Sequence, residues 1–474
     1  MKKLNKIFLV VGLMGAFAAA EAQTASPVDF MRMNPYQMKT NPAADLPYRK
    51  VVSVAVGNIG LDIQNTTQRY DNLFEFDAQG YPVALDMRKF ANSLKAKNFF
   101  GFDETMSVLT YYRRLNRGML TVDYGVKAHG DVVFNDGLFK LLGYGNAAFV
   151  GENNPAVVTM DMNLQAYQEL AVGYQWNLTE QLSLGGRAKL LFGFANITTD
   201  AFDARLYTDA DTYALRVQED IAMRMATPRL LYADEGRLMV DGLFRFGDLF
   251  HNPGFGVDLA AEYRFNDKFS AVAAVHDLGF IYWGLNSIKM TSNINDAGQF
   301  YDNGSFLFNG LDFDQVQMIV NDDYYRERFM DTLQQYFQTE FNPTKGYATM
   351  LNMNILLRGN YDLNAHNRFS LQAQGRFLGS GFRPSATLAY SGSFFNMLDV
   401  CATYTVMPGS FDNIGLGVAG NFGSFHIYLA TSNVIGLFKP MNASAFGAQA
   451  GIVFNLRQAE KRIADKSGIP GSEE

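Results

Sequence analysis

Residues 181–196 read QLSLGGRAKLLFGFAN. From Leu182 onward every second residue is apolar or small. Leu182, Leu184, Gly186, Ala188, Leu190, Phe192 and Phe194 share one face. Ser183, Gly185, Arg187, Lys189, Gly193 and Ala195 share the other, with Leu191 the one large apolar side chain among them. Successive side chains of a strand point to opposite faces, so strict alternation marks a strand with two unlike sides. The pattern recurs in 166–178, where Ala166, Leu170, Val172, Tyr174, Trp176 and Leu178, with Gln168 an exception among them, oppose Tyr167, Glu169, Ala171, Gly173, Gln175 and Asn177. It recurs again in 254–265, where Phe255, Val257, Leu259, Ala261, Tyr263 and Phe265 oppose Gly256, Asp258, Ala260, Glu262 and Arg264.

A soluble sandwich also alternates. Three features point to a membrane instead. The runs reach or exceed the roughly 9–11 residues a tilted strand needs to cross a bilayer. Their apolar faces carry aromatics near the ends, and their opposite faces carry charge and glycine, as a crowded or wet lumen requires. In lipid every backbone polar group needs an internal partner, so such a sheet must close on itself.

Connection lengths test the idea independently. Short joints fall at Asn116-Arg117, Leu178–Gln181, Asn266-Asp267, Asp362–Asn367, Ser393–Asn396 and Gly423-Ser424. Strands are expected near 51–64, 104–115, 118–134, 164–178, 181–199, 254–265 and 268–283. Seven more are expected near 346–361, 368–378, 382–393, 397–408, 411–422, 424–434 and 443–456. That makes about 14, these six joints lie on one side, and both ends of the barrel return to the periplasm. Bacterial barrels keep short turns there and long loops outside. The fold class expected is therefore all-β, a closed antiparallel transmembrane barrel. Its long outer loops are 65–103, 135–163, 200–253 and 284–345. The third carries a hairpin turning at Asp209-Ala210-Asp211. The fourth carries an amphipathic helix near 322–338, with Tyr325, Phe329, Leu333 and Phe337 at helical spacing.

The 474 residues are 48% hydrophobic, 14% aromatic and only 18% charged, which excludes disordered and collagen-like classes. One cysteine, Cys401, excludes an intramolecular disulfide and a cysteine metal cluster. Residues 1–22 read as a signal peptide: Lys2, Lys3 and Lys6, then apolar Ile7–Ala20, then Ala20-Glu21-Ala22 as a small-x-small cleavage pattern. Cleavage removes three Lys and one Glu and leaves 37 basic against 46 acidic side chains. An exported acidic chain lacks the basic face nucleic acid requires. The expected domains are 1–22 signal peptide, 23–50 N-terminal plug, 51–456 barrel and 457–474 a polar periplasmic tail.

The segment before the first strand contains Asn34-Pro35 and then Asn41-Pro42-Ala43. Later come Asp277-Leu278-Gly279-Phe280-Ile281-Tyr282-Trp283, Gly415-Leu416-Gly417 and Ile427-Tyr428-Leu429-Ala430-Thr431. On these stretches the chain resembles the FadL (long-chain fatty-acid transporter) superfamily of outer-membrane barrels. Within it, the likeness is to a Bacteroidota branch related to PorV-type barrels. The resemblance implies a plug carrying Asn41, Pro42 and Ala43 near a ligand, in the outer membrane of a Gram-negative cell. It implies passage of a small hydrophobic or amphipathic solute, or alternatively an anchor or shuttle for surface or secretion-machinery proteins. Outer-membrane lipids are the remaining partner.

From the residues alone, Pro42 biases Asn41 to an extended conformation and removes a donor from a crowded lumen. A simple turn into the first strand is the competing reading. Met31, Met33 and Met38 are adaptable apolar filler. Glu169, Arg187, Lys189, Asp258, Glu262 and Arg264 fall on the lumen face, either as an internal ion-pair network or as a constriction that draws an acidic solute to Arg187 and Lys189. No enzyme is expected. The five histidines, His129, His251, His276, His366 and His426, adjoin no nucleophile motif, and alternation would send His276 and Asp277 to opposite faces. No metal or other cofactor is expected, since neither paired histidines nor a calcium-loop spacing occurs.

Overall fold

The computed structural model describes residues 25–46, 52–65, 74–79, 82–213, 215–227, 231–239, 245–292, 322, 324–325, 339–395, 397–438 and 443–456. Its strands are β1 Val52–Asn65, β2 Phe74–Phe76, β3 Pro82–Leu85, β4 Asn98–Leu115, β5 Gly118–Phe134, β6 Ala156–Asn177, β7 Leu182–Thr208 and β8 Leu215–Ala226. There follow β9 Tyr232–Asp234, β10 Arg237–Met239, β11 Pro253–Arg264, β12 Phe269–Trp283, β13 Ser287–Ser292, β14 Thr339–Pro343, β15 Tyr347–Met350 and β16 Met353–Asp362. The last are β17 Asn367–Leu378, β18 Gly381–Phe394, β19 Leu398–Met407, β20 Ser410–Asn421, β21 Phe425–Thr431 and β22 Ala445–Asn455.

Fourteen of these close into an antiparallel barrel in the order β1, β4, β5, β6, β7, β11, β12 and β16 through β22. The ring is completed by β22 against β1, from Ser53 opposite Asn455 to Gln64 opposite Ala445. Each of the fourteen strands expected from alternation overlaps one of these; most ends move by a few residues, β4, β6 and β7 extend further on the long-loop side, and the expected 346–361 is divided between β15 and β16. Closure gives every central strand two partners, which the hydrocarbon core demands. The outer face is apolar and exposed: Val172, Leu190, Leu259, Leu357 and Leu371 all point away from the lumen. Aromatics gather near both rims. Phe269 packs on Tyr361 with ring centres 4.9 Å apart and Phe422 on Phe425 at 5.0 Å at the short-turn end, while Phe377 packs on Phe382 at 4.9 Å at the other. Such girdles sit at the two lipid–water boundaries.

On the long-loop side the wall is taller than alternation foretold. β6 begins at Ala156 and β7 runs for 27 residues to Thr208, so much of 156–163 and 200–208 is strand and not loop. At about 3.3 Å per residue β7 far outreaches the ~25 Å apolar band, so its upper part stands beyond the membrane. There it pairs with β8, which continues through β13 to β14. The β7–β8 turn is the expected one: the Asp209 carboxylate accepts the backbone N–H groups of Asp211 and Thr212. Two short helices, α1 Met87–Ser93 and α2 Gly137–Tyr144, pack together through Phe90 and Phe139. In the fourth loop Tyr324 and Tyr325 are helical, and the rest of the helix expected near 322–338 lies outside the described residues. The same holds for 1–24 and 457–474.

Residues 25–46 lie inside the ring. Two 3-10 turns, Pro27–Phe30 and Pro35–Lys39, are each opened by a polar side chain and a proline. The Ser26 hydroxyl accepts from Val28 N–H, and the Asn34 carboxamide oxygen accepts from Tyr36 N–H. Proline at the first helical position fixes φ and costs no hydrogen bond, because that N–H has no partner within the turn.

Candidate functional site in the lumen

Two kinds of contact hold this segment. Its first half meets β18 to β21, where Val28, Phe30, Met31 and Tyr36 are buried with Ala389, Cys401, Ala419, Tyr428 and Ala430. The wall is cut away to receive it. A Cβ on Gly417 would stand 2.5 Å from Met31 Cε and 2.9 Å from Pro27 Cβ. Arg358 reinforces the seat, donating to the Asp29 carbonyl at 2.9 Å with its guanidinium 4.3 Å from the Phe30 ring centre.

The second half meets charge. Lys39 Nζ donates to both Asp123 carboxylate oxygens, at 2.7 and 2.8 Å, and to Ser107. Burial pulls the Lys39 ammonium down to about 8, with Asp123 opposing the shift. Asn41 Nδ2 donates to Glu262 Oε2 at 2.8 Å, and its own Oδ1 accepts from Ala43 N–H at 3.1 Å. Pro42 lies against Gly185, where a Cβ would stand 2.1 Å from the Pro42 carbonyl carbon and oxygen. Ala43 is fully buried beside Ala260, Val272, Ala274 and Leu356. Asp45 pairs with Arg114. His276 Nε2 donates to the Thr40 carbonyl at 3.0 Å.

Beyond the segment lies a layer of buried charge. Arg187 reaches Asp258 at 2.9 Å, Glu169 at 3.2 Å and Asp123 at 3.5 Å, three carboxylates on three strands. Lys189 reaches Asp258 and Asp277, both at 2.6 Å, and Glu169 at 3.7 Å. Lys127 reaches Glu169 at 2.8 Å and Asp277 at 3.4 Å. With Lys39, four cations face four carboxylates. Neither Arg187 nor Lys189 carries uncompensated positive charge, so the layer itself does not single out an anion. Glu262 joins the segment and not this layer. Arg264 sits half-buried at the short-turn end of β11, and its backbone N–H reaches the Gln181 carbonyl.

One sequence expectation fails here. His276 and Asp277 both face inward, because together they oppose the single residue Asp258 in a β-bulge. Asp277 takes φ 55°, donates its N–H to Asp258 Oδ1 at 2.9 Å and turns its carboxylate to Lys127 and Lys189. A bulge re-aims a side chain in this way. Strict period-two reading misses Asp277 for that reason. Asp123 and Lys127 are not among the residues singled out from the sequence, although both share a face of 118–134 with Thr121 and Gly125.

Above the layer is a cavity of about 60 Å³ bordered by Asp103, Lys127, His129, Tyr167, Asp277, Asn352, Asn354 and Arg376. Arg376 pairs with Asp103 across it at 2.5 Å. An apolar cluster of Tyr167, Leu191, Ile281, Trp283, Tyr347 and Leu351 adjoins it.

A family model described as a family of unknown function, DUF5723, matches residues 42–432. The chain belongs to that family. None of the curated proteins matches the sequence. Among solved structures the chain is similar to a FadL homologue of Pseudomonas aeruginosa, with 10% identity, 93% of this chain and 100% of that one covered, and a TM-score of 0.44. It is similar to the toluene transporter TbuX of Ralstonia pickettii at 8% identity, with 92% and 95% covered and a TM-score of 0.43. For the toluene transporter TodX of Pseudomonas putida the values are 9%, 92% and 93%, and 0.38. Likeness at this level does not bear on the chemistry of the lumen.

Proposed function

We propose that this protein is an outer-membrane channel for a small hydrophobic or amphipathic solute, and that its N-terminal segment is the plug. In this reading residues 1–22 direct export from a Gram-negative cytoplasm, 23–50 form the plug, 51–456 the barrel and 457–474 a periplasmic tail. The observation that carries it is the placement of residues 25–46 inside a closed wall, held among the described residues by contacts that involve side chains and by no backbone ladder to the strands. Such a segment can leave or shift without unfolding the strands around it. Asn41, Pro42 and Ala43 lie at its tightest point, between Glu262 and Gly185.

Deleting residues 25–46 and reconstituting the barrel in liposomes tests this. Uptake of toluene and oleate, and leakage of a small trapped dye, are expected to rise at least severalfold over the intact chain. Equal rates would remove the plug from the account.

The balanced charge layer favours a second reading, a barrel that transports nothing and serves as anchor or shuttle for surface or secretion-machinery proteins. Crosslinking in cells followed by pull-down separates the two, since only this reading requires a stoichiometric partner.

A further inference from the structure

We propose that the cavity above the charge layer is a binding site for a small uncharged hydroxylated group. Its inward-facing charged side chains come as two opposed pairs, Arg376 with Asp103 and Lys127 with Asp277, while Glu104 at its border is exposed and alternates to the other face of β4. An ion of either sign entering there meets its own sign as often as the opposite one. A neutral hydrogen-bonding molecule meets no such penalty.

Of the buried side-chain atoms without a hydrogen-bond partner among the described residues, two at this cavity also lack an ion pair: His129 Nε2 and Asn354 Oδ1. His129 is 95% buried, at 5% exposure, and both residues border the cavity. Buried polar groups are nearly always satisfied, so an orphaned pair at one void marks the place of an absent partner. The carboxamide oxygen needs a donor. The imidazole nitrogen needs a donor or an acceptor according to its tautomer. A hydroxyl supplies both roles from one atom. Tyr167, stacked edge-on to His129 with ring centres 5.7 Å apart, offers a carbon face beside these polar atoms.

The bulge argues in the same direction. Asp277 holds a left-handed backbone at φ 55° that strand residues rarely adopt, and the result is a carboxylate turned to the cavity wall. On size, one water needs roughly 10–15 Å³ of such space, so the void of about 60 Å³ takes about four to six non-hydrogen atoms. Glycerol has that size and chemistry. The adjoining apolar cluster also allows the group to be the head of an amphiphile, in which case the same polar atoms are used. The site stands whether or not the N-terminal segment moves.

Saturation-transfer NMR on the full chain in detergent provides the test, with glycerol as free polyol and 1-octanoylglycerol as amphiphile. Propionate and propylammonium serve as charged comparisons. A saturable signal from glycerol, at least tenfold weaker in Asn354→Leu and in His129→Phe and absent for both ions, is the expected result. Saturable binding of octanoylglycerol alone, with the same loss in the variants, assigns the hydroxyls to an amphiphile head. If Asn354→Leu loses the heat-modifiable gel shift of a folded barrel, Asn354→Ala removes the acceptor without adding volume. No saturable signal from either alcohol, or one unchanged by all variants, means that ordered water alone fills the cavity and overturns the site.

Discussion

The two sides of the lumen hold one segment by different physics. Along β4 to β7, β11 and β12 the inward positions are Asp103, Asp123, Lys127, Glu169, Arg187, Lys189, Asp258 and Asp277. Across the barrel, β18 to β20 present Ala389, Cys401, Thr403 and Ala419 toward the segment's first half. One wall is a charge network that binds the segment where Asp123 meets Lys39, and the other holds it by shape. Buried ion pairs are costly to halve, because the partner left behind keeps its charge without water. Apolar contacts lose the transfer free energy of what is cut away plus a cavity cost that shrinks as the neighbours relax into the space. The charged wall should therefore be brittle to substitution and the smooth wall forgiving.

The largest contrast is expected at Asp258, fully buried and bound to Arg187, Lys189 and the Asp277 N–H. Asp258→Asn leaves two cations short of a counter-charge and should cost about 3–5 kcal/mol. Ala419→Ser on the opposite wall should cost about 1 kcal/mol, near the centre of the range for single substitutions. Urea unfolding of both variants in lipid, followed by heat-modifiable gel mobility, measures the difference. Similar costs would erase the distinction between the walls.

Next comes the pair that joins segment to wall. Asp123→Asn strands Lys39 beside Arg187 and should free residues 39–46 to protease. Lys39→Met keeps the length and leaves Asp123 with Arg187 as its counter-charge, so it should expose residues 39–46 less than Asp123→Asn does. Limited proteolysis with mass spectrometry reads both. Equal exposure in the two variants would make the ion pair incidental.

The glycine seats come third. At Gly185 an added Cβ meets the Pro42 backbone, which cannot rotate away, so Gly185→Ala should displace the second half of the segment. At Gly417 it meets mainly the flexible end of Met31, so Gly417→Ala should be milder. Thiol labelling at Asn41→Cys in the two backgrounds, with Cys401→Ser, compares them. Faster labelling with Gly417→Ala would reverse the order.

The smallest effect is in pH. Lys39 titrates near 8 when docked, below its free value of about 10.4. The undocked segment thus binds more protons between these values, and docking tightens as pH rises through that window. Protease protection of 39–46 should increase from pH 7.5 to 9.5 in the native chain and stay flat in Lys39→Met. A decrease would mean that the charged ammonium, not the neutral amine, is the better seated form.

What the sequence shows and hides follows the same division. The fourteen strands were legible because lipid on one side and lumen on the other enforce period-two alternation, and 181–196 displays it almost without exception. The height of β6 and β7 was not, because above the membrane no lipid imposes an apolar face and alternation fades after Ile197. Asp277 was hidden by its bulge, which no residue pattern around His276 announces. The role of Gly185 was hidden too: a glycine on a lumen face looks the same whether it faces water or Pro42. Pairings such as Lys39 with Asp123, 84 residues apart, depend on where the segment folds back, which local periodicity does not record.

The central claim is that residues 25–46 close the lumen from within and open it by moving. Asn41→Cys with Glu262→Cys, in a Cys401→Ser background, places two thiols where a 2.8 Å hydrogen bond now joins the segment to β11. Bridging them with a short bifunctional thiol reagent in proteoliposomes, and then measuring toluene and oleate uptake before and after reductive release, tests it directly. The account predicts efficient bridging, uptake reduced to the level of empty liposomes, and full recovery on release. Efficient bridging with unchanged uptake would contradict it.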